Sequence, residues 1–277
     1  SLASVRGRSG GHPPRPDFGL VGVVRVYVTG IAGFIGSTVA GQLRDRGHDV
    51  SGCDDLSMGW VSNVPAGIRW QAKDVRSLEA IDADVVIHLA AMACARWPDD
   101  QEVWQRNLVT TAHLTDIFKG RIVFSSTCVA ANPLLGAYAG SKWACEQILP
   151  RATRFRFANV YGPKQRDWGV EPGVLAVWQK AERAGQPIRI DGDGSQTRDF
   201  VHVDDVARAL CLAAESDAGD GHTMDVCTGV QTPIIDLADR FDCGRVFAPR
   251  NPVDPDSMPQ DPEPAANLIG FRSDIKL

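Results

Sequence analysis

The sequence contains no apolar run approaching the roughly 20 residues that a membrane span needs, so we expect no membrane partner. Its seven cysteines form no C-x-x-C pair, and no histidine lies at zinc-ligand spacing from a cysteine pair, so we expect no metal site. The sequence also lacks a net positive charge, since the net charge is −5 and the 29 lysines and arginines form no basic block. A nucleic-acid partner would need a basic surface, so we expect none.

Two features of the composition bear on the compartment. An odd, scattered set of cysteines is typical of buried thiols in a reducing environment, which predicts a cytoplasmic protein. Residues 1–22 are rich in Gly, Pro and Arg, and they lack both hydrophobic periodicity and the apolar segment of a secretory signal. We therefore predict a disordered leader over residues 1–22.

From residue 23 onward, short apolar segments alternate with stretches of helical periodicity. This alternation is typical of a parallel sheet with helices on both faces, and nearly continuous apolar segments fit strands that are buried on both sides. We predict an α/β fold with a doubly wound, Rossmann-type parallel sheet. The predicted strands are 23–30, 48–55, 68–74, 84–91, 120–126 and 154–160, and the predicted helices are 34–47, 101–118, 137–149, 173–185 and 203–215.

The periodicity loosens after about residue 163, where segments rich in Pro and Gly separate the helical stretches. We predict an NAD-binding Rossmann domain with the catalytic residues over residues 23–163, and a smaller, mainly substrate-binding part over residues 164–277. Proline inside a helix or a central strand removes a hydrogen bond. The proline-rich tail, residues 248–270, is therefore predicted to run over the surface without forming a helix.

The segment TGIAGFIG, residues 29–36, follows the first predicted strand and begins the first predicted helix. Glycines there allow a tight turn and a close approach of the backbone to a diphosphate, which the helix N-terminus binds through its amides. Asp54 lies 18 residues beyond Gly36, where a carboxylate bonds the ribose hydroxyls of NAD and repels the 2′-phosphate of NADP. The alternative is that Asp54 only starts a turn. We predict NAD, bound by Gly30, Gly33, Phe34, Ile35, Gly36 and Asp54.

Further segments follow in order: KDV (73–75), HLAA (88–91), Asn107, SST (125–127), YAGSK (138–142), NVYGP (159–163), GDGSQTRDFVHVDD (192–205) and APRNPVD (248–254). With TGIAGFIG they resemble the extended short-chain dehydrogenase/reductase family, in its nucleotide-sugar epimerase and dehydratase branch, from about residue 24 to the C-terminus. The resemblance implies a nucleotide-sugar substrate and a homodimer paired through the helices near 101–118 and 137–149. It implies further NAD contacts at Asp55, Asp74, Val75, Leu89, Ala90, Ala91, Asn107, Ser125, Tyr138, Lys142 and Phe157, and substrate contacts at Thr127, Asn159, Arg198 and Arg250.

Tyr138 and Lys142 are one helical turn apart, and they follow a predicted strand that ends at Thr127. An unperturbed tyrosine has a pKa near 10, but a lysine ammonium and an oxidised nicotinamide beside it would favour the phenolate. Lowering the pKa by about 3 units takes about 4 kcal/mol, which two nearby cations can supply. The phenolate then takes a sugar hydroxyl proton, and Thr127 bonds the same oxygen. The alternative is an exposed tyrosine and lysine at a helix start.

The residues after Thr127 indicate which reaction is implied. The dehydratase branch has Asp and Glu there, whereas this chain has Cys128 and Val129, which cannot serve as the acid and base of an elimination. The resemblance therefore implies a 4-epimerase that inverts C4 of a UDP-hexose or UDP-hexuronic acid through a transient 4-keto sugar. The connection to Tyr138 is shorter than is usual in the family and lacks its Tyr-Gly. A 4-ketoreductase and a non-catalytic dinucleotide-binding protein are the alternatives.

Three arginines are candidate anion ligands. Arg198 either binds a diphosphate or forms a surface ion pair with Asp199. Arg250 lies where the family commonly has two arginines, but Asn251 takes the second position. Arg96 is a candidate ligand for the carboxylate of a uronic acid.

Other conspicuous residues are expected to be structural. His88 is expected to pack at a strand end, and Asp204 and Asp205 are expected to cap a helix. Packing is also expected for Trp60, Trp97, Trp104 and Trp168.

Overall fold

The structure, a computed structural model, describes residues 22–170, 172–250 and 254–277, so all but Gly22 of the predicted leader lies outside the described residues. The strands are β1 (Arg25–Thr29), β2 (Asp49–Asp54), β3 (Arg69–Ala72), β4 (Val85–His88), β5 (Arg121–Thr127), β6 (Thr153–Phe157), β7 (Asn159–Tyr161), β8 (Ile188–Asp191), β9 (Thr197–Arg198), β10 (Phe200–His202), β11 (Thr223–Val226), β12 (Thr232–Pro233) and β13 (Arg245–Ala248). The α-helices are α1 (Phe34–Asp45), α2 (Asp100–Trp104), α3 (Thr110–Ile117), α4 (Ala137–Ile148), α5 (Val174–Arg183), α6 (Val203–Glu215), α7 (Ile234–Ala238) and α8 (Glu263–Ile269). A π-helical segment, Gln105–Val109, joins α2 to α3.

The centre of the fold is a parallel sheet with the strand order β11–β6–β5–β4–β1–β2–β3. From β1 the chain builds outward through β2 and β3, and then it crosses back to β4 and builds outward in the other direction. The order reverses between β1 and β4, whose last residues, Thr29 and His88, lie side by side. Such a reversal opens a crevice at the carboxyl ends of the strands, where sheets of this kind bind ligands.

Helices cover both faces of this sheet. On one face, Leu43 of α1 and Leu210 of α6 are buried with Val28 of β1. On the other face, Leu114 of α3 is buried with Phe124 of β5. Full burial of each such side chain contributes about 1.5–3 kcal/mol to the free energy of unfolding. The doubly wound α/β fold that the sequence predicts is confirmed.

A smaller apolar cluster lies in the C-terminal half. Here β8 pairs with β13, β7 with β10, and β9 with β12. Trp178 of α5, Ile190 of β8 and Leu237 of α7 are buried at its centre. The domain division at residue 163 stays a prediction. Two elements that follow this residue belong to the N-terminal architecture: β11 is a strand of the large sheet, and α6 packs on that sheet.

The prediction that the proline-rich tail forms no helix is wrong, because the tail contains helix α8, whereas residues 254–264 do lie at the surface. Pro262 and Pro264 stand at the helix N-cap and in its first turn, where a proline N–H would have no intrahelical partner in any case. Ala265, Ile269 and Phe271 are then almost fully buried against the large core. A proline breaks a helix only where its N–H would be needed, and the position of each proline therefore matters more than their number.

All seven cysteines are free thiols, and five of them are buried. Burial of Cys53, Cys145 and Cys211 in the apolar layers raises the pKa of each thiol. Within residues 22–170, 172–250 and 254–277, no helix is long and apolar enough to cross a membrane. Nor does this part of the chain group three His, Cys, Asp or Glu side chains as a metal site requires.

Candidate active site

The glycine loop between β1 and α1 is packed so closely that side chains have no room in it. Gly30 has a φ of +74°, and a Cβ there would lie 2.9 Å from the amide nitrogen of Ala90. A Cβ on Gly36 would lie 2.0 Å from the carbonyl oxygen of Gly30, so glycine alone fits. Helix α1 has Gly33 as its N-cap, which offers no side chain to bond the amides of the first turn. Those amides and this close backbone fit the diphosphate of a dinucleotide.

Asp54, at the end of β2, is fixed by two backbone amides. Its Oδ2 accepts from Ala32 N at 2.9 Å, and its Oδ1 accepts from Leu56 N at 2.8 Å. Burial raises the pKa of this carboxyl group. Both interpretations of Asp54 therefore agree with the geometry: it starts a turn, and it also lines a cavity beside the glycine loop.

A first cavity of about 110 Å³ lies outside the ends of β1 and β2. Asp74 forms an ion pair with Arg76 at 2.6 Å, and the hydrogen bonds from Arg76 lower the pKa of that carboxyl group. Asp55 forms an ion pair with Arg106 at 3.3 Å. Arg106 also lines the cavity, although no motif in the sequence marks it. The predicted NAD contacts in this lining are Gly30, Gly33, Asp54, Asp55, Asp74, Val75, Leu89, Ala90 and Ala91.

A second cavity of about 340 Å³ continues from the first along the glycine loop. Tyr138 and Lys142 line it from one face of α4, one turn apart. Lys142 Nζ donates to the carbonyl oxygen of Ser125 at 2.8 Å, and only 3% of the lysine is exposed. Burial lowers the pKa of Lys142 to about 8. The predicted site residues in this lining are Gly30, Gly33, Phe34, Ile35, Gly36, Leu89, Ala91, Ser125, Thr127, Tyr138, Lys142 and Phe157.

His88 lies fully buried in a hydrogen-bond chain beneath the strand ends. Thr111 Oγ1 donates to Asn107 O at 2.7 Å, so it accepts from His88 Nε2 at 3.1 Å. His88 Nδ1 then accepts from Thr29 Oγ1 at 2.7 Å, and Thr29 Oγ1 accepts from Leu89 N at 3.2 Å. Burial lowers the pKa of His88 to about 3, so the ring is neutral, as this chain of bonds requires. The placement agrees with a packing role.

Asn107, a predicted NAD contact, is absent from the described lining of both cavities. Its Oδ1 accepts from Met92 N at 2.8 Å, and its Nδ2 donates to Ser141 Oγ at 2.9 Å. Ser141 Oγ in turn donates to the carbonyl oxygen of Tyr138 at 3.0 Å. The π-helical segment thus uses Asn107 to tie the stretch after β4 to the helix that carries Tyr138.

An ion pair with a buried carboxylate lies behind the site, and the sequence did not predict it. Glu146, one turn after Lys142, pairs with Arg156 of β6 at 2.7 Å and accepts from Ser126 Oγ. The hydrogen bonds with Glu146 raise the pKa of Arg156. A carboxylate held by two partners fixes α4 against β5 and β6. The only sequence signal for it is a Glu on the inward face of the predicted helix.

Comparison with known proteins agrees with this geometry. The model of the NAD dependent epimerase/dehydratase family matches residues 26–227. The chain belongs to this family. A UDP-glucose 4-epimerase of Mycolicibacterium smegmatis is 34% identical over an alignment of 269 positions that covers 83% of this chain and 85% of the relative.

Solved structures of family members have the same fold. The structure of a UDP-glucose 4-epimerase from Thermotoga maritima with UDP-glucose matches with a TM-score of 0.83 at 27% identity, over 91% of this chain and 94% of that one. The Thermus thermophilus UDP-glucose 4-epimerase in complex with NAD matches with a TM-score of 0.80 at 27% identity, over 91% and 95% of the two chains.

In this member of the epimerase/dehydratase family, a third cavity of about 260 Å³ adjoins the second. Thr127 and Tyr138 line both cavities, so they stand where the two meet. The predicted substrate contacts Asn159 and Arg198 line the third cavity, and so does Arg96.

Asp254 holds two of the candidate arginines. Arg198 forms an ion pair with its carboxylate, and Arg250 donates to its carbonyl oxygen at 3.0 Å. The alternative pairing of Arg198 with Asp199 is wrong, because Asp199 instead accepts from backbone amides, among them Gly229 N at 2.7 Å. Arg250 is absent from the described lining of the third cavity.

The predicted capping by Asp204 and Asp205 is wrong in position. The N-cap of α6 is His202, whose Nδ1 accepts from Asp204 N at 3.2 Å. Both aspartates lie in the first turn, where their charge favours the helix dipole. Asp205 is buried and accepts from Ile275 N at 2.9 Å, so it ties the C-terminal segment to α6.

The short connection after β5 consists of two 3₁₀ turns, Cys128–Ala131 and Pro133–Leu135. Asn132 joins them, and its side chain accepts from Leu134 N at 3.3 Å. On this side the wall of the third cavity is built from small or apolar side chains. They are Cys128, Val129, Leu135 and Ala139.

Proposed function

We propose that this protein is an NAD-dependent nucleotide-sugar 4-epimerase that inverts C4 of a UDP-hexose or UDP-hexuronic acid through a transient 4-keto sugar. The observation that carries this proposal is the shared wall between the second and third cavities. Thr127 and Tyr138 line both, so a sugar in the third cavity and a nicotinamide in the second would meet at their hydroxyl groups.

NAD, when bound, supplies the acceptor and then the donor of the C4 hydride. Tyr138 takes the proton of the sugar hydroxyl at its phenolic oxygen and later returns it. Thr127 donates a hydrogen bond to the same sugar oxygen and keeps it in line with Tyr138. Lys142, held by Ser125 O at 2.8 Å, places its ammonium one helical turn from Tyr138 and favours the phenolate.

Elimination of water is disfavoured by the third cavity. An acid and a base would have to reach the carbon next to the ketone, yet Cys128 and Val129 follow Thr127. Burial raises the pKa of the Cys128 thiol to about 11, so it is not a thiolate at neutral pH. The one carboxylate in the described lining is Asp254, which is paired with Arg198. Inversion at C4 needs neither group.

A hexuronic acid is the second candidate sugar, and Arg96 favours it. Its guanidinium lines the third cavity, 3.8 Å from the carboxylate of Asp191. A planar guanidinium suits a substrate carboxylate because it offers paired N–H donors.

The proposed function is tested by proton NMR of the sugar anomeric signals. The purified protein is incubated with UDP-glucose, UDP-N-acetylglucosamine or UDP-glucuronic acid, with and without added NAD. We expect a galacto-configured product from one of them, with no net change in nicotinamide absorbance. Consumption of reduced cofactor would indicate a 4-ketoreductase instead. The proposed function would be contradicted if the protein bound a dinucleotide, converted none of these sugars and was protected by none of them against thermal unfolding.

We also propose that two copies pair through the helical side of the site. Exposed apolar side chains occur on the helices that the resemblance assigns to a dimer: Trp104 at the end of α2, Val109 at the end of the π-helical segment, and Trp143 and Ile148 on α4. In sedimentation velocity we expect a species of twice the chain mass of 29.9 kDa.

Trp143→Glu should shift this species to the monomer. The control is Phe247→Glu, an exposed aromatic on β13, which should leave the dimer intact. A monomeric parent protein would refute the pairing.

A further inference from the structure

The outer wall of the second cavity comes from two loops that the predicted site does not include. The first, residues 57–63, is bound to the glycine loop: Trp60 N and Asn63 Nδ2 both donate to Ala32 O at 3.0 Å. The second follows β7 and carries Lys164 and Arg166, which line the same cavity. Both loops therefore lie beside the N-terminus of α1.

The second loop brings two cations to this place. Lys164 Nζ lies 3.2 Å from Ser37 Oγ in the first turns of α1 and 3.1 Å from Asn63 O. Its φ is +71°, a left-handed conformation that is uncommon for a residue other than glycine and that concentrates at functional sites. Arg166 Nη1 lies 2.9 Å from Met58 Sδ of the first loop.

The charge in this cavity has one sign. Its described lining contains Lys142, Lys164 and Arg166 but no Asp or Glu. Partial burial lowers the pKa of the Arg166 guanidinium. Positive charge beside free helix amides, with no carboxylate in the wall, fits a diphosphate.

Two tryptophans join the loops at the surface. The rings of Trp60 and Trp168 meet edge to face, with their centroids 6.1 Å apart and an angle of 82° between the planes. Arg166 lies over the Trp168 ring, with Cζ 5.3 Å from its centroid. Trp60 is 54% exposed and Trp168 is 45% exposed, so the contact lies at the surface rather than in the core.

We propose that Lys164 and Arg166 are diphosphate ligands for the dinucleotide, and that the Trp60–Trp168 contact fastens the two loops over it and slows its release. The proposal rests on the proposed function in that the dinucleotide is NAD. Two cations are thereby added to the predicted site. We call the Trp60–Trp168 pair the aromatic clasp.

The clasp is tested by the release of reduced dinucleotide in the absence of sugar. NADH is bound to the full-length protein, an excess of NAD is added, and nicotinamide fluorescence is followed with direct excitation. We expect Trp60→Ala and Trp168→Ala each to raise the dissociation rate about 10-fold. The double variant should release NADH no faster than Trp168→Ala alone, because that variant already removes the contact between the two rings. Trp168→Phe should restore slow release, since it keeps an aromatic edge.

The cations are tested by affinity. We expect Lys164→Met and Arg166→Met each to weaken NADH binding about 10–100-fold and to reduce its dependence on salt. Affinity for UDP, measured by calorimetry, should stay unchanged, because the diphosphate of a sugar nucleotide is not the ligand here. The matched controls are Phe247→Ala and Arg272→Met, two exposed side chains in other parts of the fold.

Three results would overturn the proposal. If UDP affinity fell while NADH affinity held, the cations would belong to the sugar nucleotide. If neither the NADH affinity nor the release rate changed, the two loops would pack against each other without binding the dinucleotide. If the parent protein bound no dinucleotide, the proposed function would fail together with the clasp, and this outcome differs from the other two because it concerns the unsubstituted chain.

Discussion

Replacement of Tyr138 by phenylalanine is expected to lower kcat about 10³-fold, while the affinities for dinucleotide and UDP stay unchanged. The substitution removes one oxygen and leaves the ring, which packs in a small apolar cluster with Met92 and Val103. The fold and both cavities should therefore persist. Loss of the hydroxyl removes the group that would take the sugar proton. The measurement is the initial rate of C4 inversion by NMR, together with calorimetric binding of each ligand.

The matched control is another tyrosine of the same chain. Tyr161 lies in the C-terminal cluster, its ring 5.1 Å from that of His202, and its buried hydroxyl meets no hydrogen-bond partner among the described residues. Tyr161→Phe should keep full turnover. It should not lower the free energy of unfolding, because the hydroxyl that it removes is buried and, among the described residues, forms no hydrogen bond that could be lost. If Tyr138→Phe retained most of the turnover, or if both variants lost it equally, the assignment of Tyr138 as the base would be wrong.

Replacement of Lys142 by methionine is expected to lower kcat about 10²–10³-fold and to remove the alkaline limb of the pH–rate profile. Burial sets the pKa of Lys142 to about 8, so the ammonium is present below that pH and is lost as the pH rises through it. Turnover by the parent protein should fall across the same range, because Tyr138 loses its cation. The variant should be slow at every pH, without that limb.

The same substitution has a stability effect whose sign follows from linkage. The folded pKa of about 8 lies below the ordinary value of 10.5, so between these pH values the unfolded chain binds the proton more strongly than the folded one. Lys142 therefore destabilises the native state below pH 8, and this cost disappears as the pH rises to about 10.5. The free energy of unfolding of Lys142→Met, relative to that of the parent, should therefore be higher at pH 7 than at pH 10.5 by about 3 kcal/mol.

Urea unfolding at the two pH values measures this difference. Lys119→Met, at an exposed lysine whose Nζ donates to Thr115 O at 2.6 Å, is the matched lysine-to-methionine control. If the free energy of unfolding of Lys142→Met differed from that of the parent by the same amount at both pH values, burial would not lower the pKa of Lys142. The alkaline limb would then need another origin.

The sequence predicted those parts of the site that depend on neighbouring residues. The glycine loop follows from local turn geometry, since Gly30 and Gly36 occupy positions where a Cβ cannot fit. The shared helical face of Tyr138 and Lys142 follows from the helical period. In both cases a few consecutive residues carry the whole signal.

What the sequence did not predict depends on partners far apart in the chain. The ion pair between Arg198 and Asp254 joins residues 56 positions apart, and nothing in either segment marks the other. The contact of Trp60 with Trp168 and the pairing of Arg106 with Asp55 are of the same kind. Such pairs depend on which loops the sheet order brings together, so they become visible only with the fold.

The path of the chain also ties the two halves into one unfolding unit. After β6 the chain leaves the large sheet, returns for α6 and β11, leaves again for β12 and β13, and returns once more for α8. A fragment that stopped at residue 163 would lack the edge strand β11 and would expose Leu43 of α1, the helix that packs against α6. The C-terminal cluster therefore cannot be lost by truncation, or melt on its own, without the large sheet losing its cooperativity.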